Sequence, residues 1–226
     1  MSRNTEMIKL YYFSLCPFSR IARVILEEKK LAYEIINEKY WQRTIELAKL
    51  NPSYELPVII DNEHVIADIT PIMEYLEEQY PPVALFYKTP YEKAEQRRII
   101  SWYNRKFYYE VTRYIINEKV IRYFERRGYP DTKMIRAAKV NFEYHFDYLA
   151  FLLSKRPWLA GEKYSICDIV AACQLSVLDY LGEVTWSNEY VKNWYSIIKS
   201  KPSFRKILNE TIVGFNPPDH YTQLDF

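Results

Sequence analysis

A chain of 226 residues, 49% hydrophobic and 27% charged, has enough apolar side chains for a core and enough charge for a wetted surface, which excludes a globally disordered chain. Glycine is scarce at 4 residues while tyrosine reaches 22, which argues against an all-β architecture dense in tight turns. The net charge of +2 is unevenly spread: residues 1–83 hold 9 Lys/Arg against 13 Asp/Glu, a net −4, and residues 84–226 hold 22 against 16, a net +6.

That basic second part suits an acidic partner or is an ordinary solvated helical surface. The N-terminus lacks a charged-then-apolar leader pattern, and no window approaches the ~20 apolar residues of a membrane span. Cys16, Cys167 and Cys173 fit neither a disulfide framework nor a zinc spacing, which suits a reducing cytoplasm. His64, His145 and His220 are scattered, so no metal site is expected.

Met7 to Phe13 reads as a strand. Pro17 sits where a helix begins, because proline at the first helical position loses no needed hydrogen bond. Ile21, Val24, Ile25 and Glu28 follow at helical spacing, and Ala32 to Ile36 is a second strand. Thr44 to Leu50 is a short helix stopped by Asn51-Pro52. Val58 to Asp61 and His64 to Ala67 form a hairpin through Asn62-Glu63, and Thr70 caps a helix from Pro71 with Met73 and Leu76 inward. The order β-α-β-α-β-β-α spans residues 1–83, and the proline-containing 84–90 reads as a linker.

From 91 to 226 the pattern is helical. Tyr91 to Arg127 places Ile99, Tyr103, Phe107, Val111, Tyr114 and Ile115 on one face and stops at Gly128-Tyr129-Pro130. Met134 to Leu153 follows, then Ile166 to Leu181, apolar nearly all round and expected at the centre. Val191 to Lys199 and Phe204 to Leu208 are shorter, and Gly214 to Phe226 has no periodicity.

Four features occur in order: Cys16-Pro17-Phe18-Ser19-Arg20 after strand one, Leu56-Pro57-Val58 before a strand, Asp68-Ile69 before a helix, and Trp158-Leu159-Ala160-Gly161 with Ser165-Ile166-Cys167-Asp168. The last has capping-box chemistry, a serine at the helix start and an acid three residues on. Together they resemble the glutathione S-transferase family over essentially the whole chain. The resemblance implies an α/β thioredoxin-like first domain, an all-α second domain, a cis Leu56-Pro57 bond, and a homodimer that binds glutathione in the first domain. Arg105-Lys106-Phe107, Ser176 to Val184, Ile198 to Arg205 and the ending His220-Tyr221-Thr222-Gln223-Leu224-Asp225-Phe226 resemble a division-associated branch of that family, in alphaproteobacteria, whose implied partner is the FtsZ filament.

For an enzyme, Cys16 stands where relatives carry a catalytic serine or cysteine, with Ser14 as a second hydroxyl. Unpaired N–H groups at a helix start favour an anion, so Cys16 is expected to have a lowered pKa and to serve thiol-transferase or reductase chemistry. The other reading is a cysteine packed as a small apolar residue. The implied glutathione pocket comprises Phe18, Leu56, Pro57, Asp68 and Ile69. Family members place an acid and then a serine in the last two positions, and Ile69 cannot donate the hydrogen bond that serine makes. Losing such a bond to a carboxylate costs about 1.5–3 kcal/mol, so glutathione is expected as a weakened ligand and no other cofactor is implied.

For a binding protein, Trp41 and Arg43 are interface-anchor types at the cleft mouth, or Trp41 covers the cleft floor or a dimer seam. Tyr221, Leu224, Asp225 and Phe226 either contact the partner or belong to a strap across the second domain. Arg97, Arg98, Arg105, Lys106 and Arg113 form a basic face or are solvated and paired. Nucleic acid is not an expected partner, since no motif for it occurs. The expected site of action is the cytoplasm, at the division site.

Overall fold

The structure is a computed structural model that describes residues 7–224. The chain divides into two compact units, Met1–Ala84 and Leu85–Phe226.

Among its described residues the first unit is a mixed four-stranded sheet of order β2-β1-β3-β4 with three α-helices and a one-turn helix. β1, Ile8–Tyr12, buries Ile8, Leu10 and Tyr12 and exposes Lys9, the period-two pattern of a strand. α1, Pro17–Glu28, carries the chain over to β2, Tyr33–Asn37, which pairs parallel to β1, as a helical crossover allows. Ile21, Ala22, Val24, Ile25 and Leu26 of α1 are buried. After the short α2, Ile45–Leu50, capped by Thr44, β3 at Val58–Asp61 pairs antiparallel with both β1 and β4 at His64–Ala67. The β3–β4 turn needs a left-handed residue, and Asn62 supplies it at φ 54°.

α3, Ile69–Gln79, starts at Ile69 with Asp68 as its cap, two residues before the Pro71 start expected with Thr70 as cap. Asp68 Oδ1 accepts from the Thr70 amide at 3.0 Å, so Thr70 is served by the cap and is not the cap itself. Lys29, buried at the end of α1, donates to Glu77 at 2.8 Å and to the carbonyls of Tyr80 and Val83, fastening α1 to the end of α3.

In the second unit α4 begins at Pro90–Ser101 behind a complete Thr89/Glu92 capping box. It continues unbroken through wide π-type turns at Trp102–Thr112 and Asn117–Ile121 to Phe124. Leu85 and Phe86, within the expected linker, are buried in this unit, and the Tyr87 amide donates to Gln96 at 2.7 Å. α5, Thr132–Leu153, begins two residues before the expected Met134 because the Asp131 carboxylate caps it. α6, Ile166–Tyr180, is buried along its whole length and forms the centre of the unit. α7, Glu189–Ser200, and α8, Pro202–Leu208, complete it.

The Ser165/Asp168 capping box is present. Asp168 also accepts from the Leu159 amide at 2.9 Å and Trp194 Nε1 at 3.0 Å. Burial nevertheless pushes its carboxyl up to about 6 against those donors. Among the described residues, no helix is long and apolar enough to cross a membrane.

Candidate functional site

The turn between β1 and α1 is shaped by a buried guanidinium. Arg20 is inaccessible to solvent, and its Nε donates to the Ser14 carbonyl at 2.6 Å. The Cys16 amide closes a tight turn on the Phe13 carbonyl at 2.9 Å, and the Phe13 amide donates to Ser19 Oγ at 3.4 Å. Cys16 is thereby the residue immediately before Pro17 opens α1, with Ser14 and Phe18 half-buried on either side.

Two loops from elsewhere in the unit meet this turn. The Leu56-Pro57 bond is cis, and the Leu56 carbonyl lies 3.7 Å from Cys16 Sγ. The Asp68 amide donates to the Pro57 carbonyl at 3.2 Å, joining the start of α3 to the same loop. Asp68 holds φ 72°, a conformation most side chains avoid. Its carboxylate is exposed beside the first turn of α3, whereas Ile69 turns inward at 4% exposure. The fold thus brings Cys16, Leu56, Pro57, Asp68 and the start of α3 together through backbone links.

The expectation of a lowered Cys16 pKa is corrected. Cys16 is only 8% exposed, and that burial pushes its thiol above the ordinary value despite the opposing Ser19 hydroxyl and amide. Desolvation of the thiolate outweighs the favourable amides of the helix start. Ser19 was not singled out from sequence, although its place three residues after Cys16 on the first helical turn is the signal that would have found it.

Trp41 lies in the one-turn helix Tyr40–Gln42 and packs edge-on against Phe13 at 5.0 Å and Tyr40 at 5.4 Å. It remains half-buried, so it supports the loop and keeps part of its ring at the surface. Arg43 is exposed at φ 49°, its guanidinium 5.8 Å from the Tyr54 ring centre.

In the second unit the tail is a strap. Tyr221, expected either to contact the partner or to belong to a strap, is inaccessible to solvent and packs edge-on against Tyr180 at 5.2 Å. Thr222 and Gln223 are exposed and Leu224 is half-buried, while Asp225 and Phe226 lie outside the described residues. On α4, Arg98, Ser101, Trp102, Arg105, Lys106, Tyr109 and Glu110 line an open groove of about 550 Å³. Arg98 pairs with Glu95 and Lys106 with Glu110, so the basic face expected there is partly neutralised.

Comparison with known proteins fits this geometry. The family described as "Glutathione S-transferase, N-terminal domain" matches residues 15–79, which span the Cys16 turn, the cis proline and α3. FtsZ-localized protein A of Caulobacter vibrioides is 38% identical over 222 residues, covering 96% of this chain and 97% of that one. Among solved structures, a glutathione S-transferase from Rhodospirillum rubrum superposes with a TM-score of 0.94 at 42% identity, over 97% of this chain and 100% of that one. FzlA from C. crescentus does so with a TM-score of 0.93 at 37% identity, over 97% and 100%. With one such relative matched from end to end, and with the cis proline and Asp68 meeting at the Cys16 turn, the chain belongs to the glutathione S-transferase family.

Proposed function

We propose that this protein binds FtsZ filaments in bacterial cell division, in the cytoplasm at the division site, as a homodimer with little or no transferase activity. The observation that carries this reading is the end-to-end similarity to FtsZ-localized protein A, at 38% identity over 96% of the chain. Two features of the first unit favour a binding role over a catalytic one. Ile69 stands where the family resemblance places a glutathione-binding serine, and burial pushes the Cys16 thiol above its ordinary value. Trp41, Arg43 and the strap around Leu224 are the surfaces we assign to the partner. Co-sedimentation with FtsZ polymers at low salt tests the reading: the protein is expected in the pellet, and its absence there at micromolar concentrations sinks the proposal.

A second reading, glutathione-dependent transfer or thiol reduction through Cys16 assisted by Ser14, draws support from the turn itself. Cys16 still precedes a proline-started helix and faces the Leu56 carbonyl. Millimolar glutathione binding by calorimetry, with thiol transfer lost in Cys16→Ala, would favour this reading over the first.

A further inference from the structure

We propose that one end of the second unit, formed by the last turn of α4, the loop 125–131, the start of α5 and the turn 212–215, is a contact surface for an anionic lipid bilayer, with apolar tips entering the headgroup layer and flanking cations pairing with lipid phosphate. The proposal stands independently of the filament reading above. Large apolar side chains protrude here: Tyr129 is 95% exposed, Val213 90% and Tyr123 56%. The end of α4 gathers them. The Arg126 amide donates to the Tyr123 carbonyl at 3.1 Å and the Arg127 amide to the Arg122 carbonyl at 3.0 Å, so the chain turns back on the helix through Arg126 at φ 55°. Tyr129 follows two residues after that turn closes.

Val213 joins from the turn 212–215. The Phe215 ring packs edge-on against Tyr123 at 5.1 Å. Gly214, at φ +89°, approaches the same tyrosine so closely that a Cβ there would stand 2.9 Å from its hydroxyl. The turn is fixed from behind: Ile212 and Phe215 bridge each other, and the Tyr180 hydroxyl donates to the Phe215 carbonyl at 2.8 Å and accepts from the Ile212 amide at 3.0 Å. Val213, next to Gly214, is therefore held out near Tyr123 by a braced turn.

Charge decides what meets these tips. Residues 117–136 hold 6 Lys/Arg against 3 Asp/Glu, a net +3. All three acids are engaged: Glu118 with Arg122 at 2.8 Å and the Asp131 amide at 2.9 Å, Glu125 with Arg127 at 2.6 Å, and Asp131 with the Lys133 amide at 2.9 Å. The side chains of Arg126, Lys133 and Arg136 are exposed and have no ion-pair or hydrogen-bond partner among the described residues. Three free cations thus flank three apolar tips. Side chains this exposed stand out as separate points, and a folded partner would need a pocket for each. A bilayer interface accepts any convex shape, tyrosine suits its headgroup layer, and anionic lipid attracts the cations.

The test floats the full chain with vesicles of phosphatidylcholine alone and of equal parts phosphatidylcholine and phosphatidylglycerol. Binding to the anionic vesicles is expected to be on the order of 100-fold stronger, the scale of three cations near a charged surface, and to weaken as salt is raised. The triple variant Arg126→Glu, Lys133→Glu, Arg136→Glu should lose that preference. The double variant Tyr129→Glu, Val213→Glu should bind the anionic vesicles at least about tenfold more weakly, since two apolar side chains no longer leave water. All five positions are exposed, so these variants keep the core intact. A parent that stays off anionic vesicles, or binds both kinds equally, overturns the proposal. So does undiminished binding by the triple variant, which would place the contact elsewhere, or by the double variant, which would mean that the tips never enter the interface.

Discussion

Ile69→Ser asks whether one missing donor separates this chain from a glutathione-binding relative. Ile69 is the first residue of α3, directly after the Asp68 cap, and its side chain is 4% exposed. Serine there adds a hydroxyl where the family resemblance places a donor to the γ-glutamyl carboxylate. A hydrogen bond to a charged group contributes about 1.5–3 kcal/mol, so affinity should rise about 10- to 150-fold over the parent. Removing a buried isoleucine side chain costs about 2–5 kcal/mol of stability, and urea unfolding run alongside will report it. The assay is calorimetry with glutathione on the parent, Ile69→Ser and Ile69→Ala. The alanine variant opens similar space without a donor, so equal gains in both variants would mean that room, and not the hydrogen bond, was limiting. Micromolar binding by the parent, or no gain in the serine variant, refutes the reasoning.

Cys16 should react slowly: burial pushes its thiol above the ordinary value, so iodoacetamide labelling followed by mass spectrometry should show it slower than a free cysteine peptide. Rapid labelling at pH 7 would return the site to the enzyme reading. Asp168, whose carboxyl sits at about 6 in the folded chain against an ordinary 3.8, binds its proton more tightly folded than unfolded. Stability from this group is therefore complete below about pH 4 and lost as pH rises to about 6. Relative to Asp168→Asn, the parent should lose ground in denaturant titrations over that window, and the opposite slope would mean that its donors hold it ionised. Deleting Leu224-Asp225-Phe226 should abolish co-sedimentation with FtsZ polymers while the circular dichroism melt of the second unit stays in place; a lowered melt would make the end structural. Arg105→Glu, on the exposed face of α4, should weaken co-sedimentation by less than about fivefold, the scale of one surface charge, and lose that effect in high salt.

Local residue chemistry sets the features that short-range physics controls. Pro17 opens α1 because proline needs no donor there, Asn62 makes the β3–β4 turn because it tolerates a left-handed backbone, and the Ser165/Asp168 box starts α6 from groups three residues apart. The continuous apolar character of α6 likewise announced a buried helix. What those elements do to one another depends on contacts between distant parts of the chain. Cys16 looked activated from its place before Pro17, yet a carbonyl 40 residues away helps to bury it, and desolvation reverses the shift. For Tyr221 the residues left a partner contact and a strap equally open, and Tyr180 and Asp179 give that tail a seat. Burial and long-range hydrogen bonds depend on residues far apart in the chain, so no local window carries them. For the same reason Asp68 displaced Thr70 as the cap of α3: its left-handed backbone is tied to Pro57, 11 residues earlier.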